Sequence, residues 1–137
     1  MSRRVSIKTS LFVNDNGTED CIEHSFTGEW REQNDTHLLS HDEADNKGRS
    51  HILLGSDFAE IRRNGLVTSR MRFVKGEGID AIYDTLHGRI PMRVLTHDMS
   101  LQTASEMGKF SVFYTIQTSV GKMSDNRLEV VWEAIRE

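Results

Sequence analysis

Lys109-Phe110-Ser111-Val112-Phe113-Tyr114-Thr115-Ile116 decides the fold. Phe110, Val112, Tyr114 and Ile116 fall on one parity. Lys109, Ser111 and Thr115 fall on the other. A period of two marks a strand with one face buried and one face wet. The same rhythm opens the chain, where Val5, Ile7, Leu11 and Val13 are interleaved with Ser6, Lys8 and Ser10. It also closes the chain, at Leu128, Val130 and Trp132. Between these ends the alternating runs are short and separated by turn residues. Asn14-Asp15-Asn16-Gly17, Gln33-Asn34-Asp35, Asp45-Asn46-Lys47-Gly48 and Leu86-His87-Gly88 all punctuate the chain.

The runs between turns predict strands over Cys21–Trp30, His37–Glu43, Ser50–Leu54, Phe58–Arg63, Leu66–Val74, Ile79–Thr85, Arg89–Thr96, Met99–Thr103, Lys109–Val120 and Asn126–Glu133. Asn64-Gly65 is the strongest hairpin signal, since a two-residue I′ turn needs positive φ at both positions. Pro91 lacks a ladder donor, so it belongs at an edge or a bulge. Only Ala104–Met107 suggests a helical turn. Sequential strands with short connections pair with their neighbours, and a sheet this long closes to remove its edges. The expected architecture is all-β: one domain over residues 1–137, a closed or nearly closed antiparallel up-and-down barrel of eight to ten strands.

Composition bounds the function. Among 137 residues, 36% are apolar and 28% charged, as in a soluble globular domain. A net charge of -4 gives no general attraction to nucleic-acid backbones. The single cysteine, Cys21, excludes an internal disulfide and suits a reducing compartment. Arg3-Arg4 is not followed by an apolar run of signal-peptide length, and no stretch approaches the roughly 20 apolar residues of a membrane-spanning helix. The expected location is the cytoplasm.

The central motifs carry a resemblance. Ile61-Arg62-Arg63-Asn64-Gly65, Met71-Arg72-Phe73 with Gly76, Tyr83-Asp84-Thr85 with Gly88, and Thr96 resemble the YwiB-like domain-of-unknown-function family of Gram-positive bacteria. Thr27-Gly28 and Leu39-Ser40-His41-Asp42-Glu43 extend the resemblance over nearly the whole chain. His24 and His41 depart from it by standing where bulky apolar or aromatic residues are usual. Leu86 does so by following Thr85 where proline is common. The resemblance implies a lipocalin-like (calycin) barrel in a cytoplasmic protein and supplies no chemistry.

Parity assigns His24, His41, Glu43, Arg63, Ser69, Tyr83, Thr85 and Thr96 to the inner face. Arg63 and Glu43 are the sharpest pair. An inward arginine needs a carboxylate partner or a bound anion, because a buried unpaired charge is costly. An ion pair closing one end of the barrel is the structural reading; a bidentate site for a carboxylate or phosphate is the functional one. His41, Glu43 and His97 have no metal-site spacing, so no metal or cofactor is expected. Ser-centred elbows and P-loops are absent, and Gly76-Glu77-Gly78 lacks the rest of a dinucleotide turn. Arg62, Arg70, Arg72, Arg89 and Arg93 share the outer parity with Glu60, Asp80 and Asp84, as a salt-bridge lattice or a basic stripe.

These readings favour a non-enzymatic barrel binding a small apolar or carboxylate-bearing molecule. Its lumen would be lined by Trp30, Met71, Phe73, Tyr83, Met92 and Trp132, with polar contacts from His41, Glu43, Arg63 and Thr96. The alternative is a filled barrel that recognises another protein through its outer face, or a second copy of itself as a homodimer. Neither reading needs a membrane or nucleic acid.

Overall fold

The computed structural model describes residues 2–136. Ten strands follow in chain order: β1 (Ser2–Asp15), β2 (Thr18–Gln33), β3 (Thr36–Glu43), β4 (Gly48–Leu54), β5 (Ala59–Asn64), β6 (Thr68–Phe73), β7 (Gly78–Thr85), β8 (Gly88–Thr103), β9 (Met107–Thr118) and β10 (Gly121–Ala134). Each pairs antiparallel with its neighbour in sequence, and β1 pairs with β10 to close the barrel. Closure leaves no long unpaired edge. The ladder thins in one place: β6 and β7 are paired only at Thr68–Asp84 and Ser69–Tyr83.

The inward positions of the alternating runs form the core. Val5, Leu39, Leu54, Phe73, Val94, Val112, Val130 and Trp132 are fully buried. Trp30 and Trp132 meet edge to face with centroids 5.7 Å apart. Trp30 Nε1–H donates to His37 Nδ1 at 3.1 Å. Trp132 lies over its cross-strand partner Gly108, where a side chain would overlap the indole.

Three local expectations are corrected. Ala104–Met107 is not helical: its amide–carbonyl bond is a tight turn, and β9 begins at Met107. Met99–Thr103 is not a separate strand. β8 runs on through an irregularity between Thr96 and Asp98, and the extra residue, His97, resets the register against β9. Asn64-Gly65 is not a two-residue I′ turn, since neither residue has positive φ. Asn16-Gly17 is the turn of that kind, with φ of 51° and 87° between the paired Asp15 and Thr18. Pro91 sits where an edge residue should: the β8–β9 ladder begins only at Arg93.

A tertiary contact overrides the Asn64-Gly65 signal. Asn46, buried in the β3–β4 turn, reaches the β5–β6 loop. Its Oδ1 accepts from Val67 N at 2.7 Å, and its Nδ2 donates to Val67 O at 3.0 Å. Leu66 N donates to the Asn46 carbonyl at 2.8 Å. A Cβ on Gly65 would overlap that carbonyl oxygen and lie 2.8 Å from Asn46 Nδ2. Gly65→Val is therefore expected to cost about 2 kcal/mol through overpacking and loss of the clamp, not through strained φ. An unchanged urea midpoint for this variant would show that the clamp contributes nothing.

Candidate functional site

One end of the barrel opens into a cavity of about 800 Å³. Its walls come from β2, the β3–β4 turn and the β5–β6 loop. Phe26, Leu66 and Val67 supply apolar surface, His24 an imidazole, and Asp42, Glu43, Asp45, Lys47 and Arg63 charge. The Asn46 clamp joins the two loops, so the rim is held by partly buried hydrogen bonds.

Arg63 and Glu43 meet at this mouth. Arg63 Nε lies 3.1 Å and 3.3 Å from the two Glu43 carboxylate oxygens, and Nη2 donates to Oε2 at 3.0 Å. Both side chains are largely buried, 32% and 14% exposed. Burial works against the Arg63 charge, but Glu43, aided by the nearby Tyr83 hydroxyl, outweighs it and holds the guanidinium pKa above its ordinary value. The structural ion pair expected from parity is thus formed. Glu43 engages two of the five guanidinium N–H groups, those on Nε and one on Nη2, and the Tyr83 hydroxyl adds a further contact.

His41 stands behind the cavity wall. It is 3% exposed and stacks on Phe26 with centroids 3.8 Å apart. Gly28, its cross-strand partner, permits this: a Cβ there would lie 3.1 Å from His41 Cβ and overlap the Ser40 carbonyl. His41 Nδ1–H donates to the Asp42 carbonyl at 3.0 Å, which fixes the tautomer. Burial lowers the His41 pKa, against smaller opposing effects of the Asp42 carbonyl and Glu43. A histidine that resists protonation when folded loses stability as pH falls below its unfolded value of about 6.5. His41→Phe keeps the stack and removes that titration. The wild type is expected to lose more melting temperature than His41→Phe between pH 7.5 and 5.5; parallel pH profiles would remove His41 from the acid response.

The other inner residues are dispersed. Tyr83 Oη donates to Met71 Sδ at 3.5 Å. Phe73 is fully buried and meets Tyr114 edge-on at 4.9 Å. Thr96 is 2% exposed, and among the described residues its Oγ1 has no hydrogen-bond partner. Ser69 is buried, and Thr85 Oγ1 donates to the Gly88 carbonyl. His24 lies exposed at the rim. Of the expected lumen set, Glu43 and Arg63 line the mouth cavity, and His41 backs it. Met71, Phe73, Tyr83 and Thr96 belong to the interior below.

Parity could not show that the loops complete the site. Asn46 lies in a turn, and Leu66 and Val67, expected to open the strand Leu66–Val74, instead belong to the β5–β6 loop, since β6 begins at Thr68. Among the described residues no three His, Cys, Asp or Glu side chains are grouped to hold a metal ion.

On the outer wall, Glu60 is 2% exposed and is the meeting point of the arginine lattice. Arg62 Nε donates to Oε2 at 2.9 Å, Arg70 Nε donates to Oε1, and Arg72 Nη1 lies 3.9 Å from Oε1. Burial opposes the Glu60 charge, but Arg70 and Arg62 outweigh it and lower its pKa. Arg93 pairs with Asp80 at 3.4 Å.

This geometry defines a class: a closed ten-stranded, lipocalin-like antiparallel barrel with a packed interior and a polar, loop-walled mouth. A family model described as "Domain of unknown function (DUF1934)" matches residues 5–130, and the chain belongs to that family. The fold is similar to the crystal structure of the ywiB protein from Bacillus subtilis, with a TM-score of 0.88 and 19% identity over 98% of this chain and 94% of that one. No curated protein matches the sequence.

Proposed function

We propose that the protein is a non-enzymatic barrel that binds a small amphipathic molecule, apolar at one end and carrying a carboxylate at the other. The supporting observation is the mouth cavity of about 800 Å³, a volume typical of small-ligand sites. Phe26, Leu66 and Val67 offer the ligand's apolar part a wall. Arg63, about one-third exposed and only partly used by Glu43, offers its carboxylate N–H groups that Glu43 leaves open. The ligand sits at the mouth and not in the lumen, because the side chains of Trp30, Trp132, Phe73 and Phe110 occupy the interior. The single exposed thiol, Cys21, supports an intracellular setting.

Native mass spectrometry of protein purified from its own cells tests this reading. The expected spectrum carries a small-molecule adduct that is lost in Leu66→Glu, a change at a 41% exposed position that leaves the core intact. A bare mass, together with no saturable uptake of octanoate by calorimetry, would overturn it.

A second reading, recognition of a protein through the outer wall, rests on a cross-strand row. Phe12, Arg127 and Phe113 face one another across β1, β10 and β9, with the Arg127 guanidinium 4.2 Å and 5.8 Å from the two rings. Phe113 is 46% exposed. The same spectrum distinguishes it, since a homodimer or a protein adduct appears there directly.

A further inference from the structure

The outer wall holds a second concave site, separate from the mouth. A groove of about 290 Å³ crosses the thin seam between β6 and β7. Arg62 and Arg70 stand on one side and Arg89 on the other, with Asn64 and Thr68 between them and Asp84 as the one carboxylate of the lining. Arg89 faces Asp84 in register but makes no ion pair with it, and among the described residues no carboxylate pairs with Arg89.

Arg62 and Arg70 are also directly opposite each other in the β5–β6 ladder. Like charges so placed destabilise a sheet. Glu60 compensates, yet one carboxylate faces three guanidiniums, so the cluster keeps an excess of two positive charges. The manner of attachment matters more than the count. Glu60 takes the Nε–H of both Arg62 and Arg70. Among the described residues the terminal amines of these two arginines have no protein acceptor. Two guanidinium forks are thus fixed by a buried anion and turned outward, 53% and 62% exposed. Arg72, whose guanidinium lies 4.9 Å from the Phe58 ring centre, backs them.

We propose that this groove binds a small molecule carrying more than one phosphate group. Planar forks match phosphate oxygens in pairs, which a lysine cannot do. Three such forks around a small groove suit several phosphate groups on one compact ligand. The chain as a whole carries a net charge of -4, which repels a long polyanion, so the compact ligand is the better fit. Glu60 acts here as a positioning residue: it touches the arginines and not the ligand.

Calorimetric titration of the full chain with sodium tripolyphosphate, at constant ionic strength, tests the proposal. Saturable binding with a rise in melting temperature is expected. Arg70→Lys keeps the charge and loses the fork, and should weaken binding about tenfold, the worth of one lost charge-assisted hydrogen bond. Arg93→Gln removes a charge outside the groove and should leave affinity unchanged. Glu60→Gln separates positioning from mere charge: a positioned site binds more weakly, whereas diffuse attraction binds more tightly because a negative charge is gone. If Glu60→Gln does not fold, Arg70→Lys decides. The proposal is overturned by absence of saturable binding, by equal affinity of Arg70→Lys and wild type, or by tighter binding in Glu60→Gln. Tighter binding of a single-stranded oligonucleotide than of tripolyphosphate would overturn the small-ligand assignment.

Discussion

Gly48→Ala is expected to lower stability by about 3 kcal/mol, although it adds one methyl group at a partly exposed position of a strand end. Gly48 opens β4 opposite Glu43 and lines the mouth cavity. A Cβ there would overlap the Asn64 carbonyl oxygen and lie 2.8 Å from Gly65 Cα. Both are backbone atoms of the adjoining strand and loop, so no rotamer change can relieve the clash. β4 must separate from β5 or the β5–β6 loop must leave the Asn46 clamp, and either move breaks hydrogen bonds that are at least partly shielded from water. A guanidinium chloride titration measures the effect. A shift in stability below about 0.5 kcal/mol, the range of an ordinary surface substitution, would show that the two strands do not approach this closely.

The Arg63–Glu43 pair supplies the second large effect. Removing one partner leaves the other charge largely buried beneath the mouth without its counterion. Breaking a fully buried pair costs about 3–5 kcal/mol. Solvent reaches a third of Arg63, so Arg63→Met and Glu43→Gln are each expected to cost about 2 kcal/mol. The double variant should cost clearly less than the sum, because neither charge is then stranded. Additive energies would mean that the two groups act independently. Additivity combined with a melting temperature that rises with added carboxylate only in the wild type would make Arg63 a ligand arginine first and a structural one second.

The barrel itself was readable because period-two patterning is a local property that survives in every strand. Register follows from it, since a slip of one residue would turn Phe110, Val112 and Tyr114 out to water. His41, Ser69 and Thr96, on the inner parity, are buried, and Glu43 and Arg63 are largely so. The Arg63–Glu43 pair was legible too, because both stand at the ends of apolar faces on strands joined through β4. The turns were less legible. Asn16-Gly17 and Asn64-Gly65 carry the same dipeptide, and only the first forms the two-residue turn. The difference lies in Asn46, which reaches across from another turn and offers the second loop hydrogen bonds that its own dipeptide could not supply.

Alternation along each strand thus suffices for the fold, the faces and the residues that point inward, because side-chain direction in a strand depends only on parity. It says nothing about how far the interior is filled. That depends on which rings meet across the barrel, as Trp30 meets Trp132 and Phe73 meets Tyr114. Nor can parity bring together loops separated by some twenty residues, or show that Arg62, Arg70 and Arg72 share one buried carboxylate. The mouth cavity and the arginine groove both arise from contacts between elements distant in the chain, and such contacts exist only once the barrel has closed.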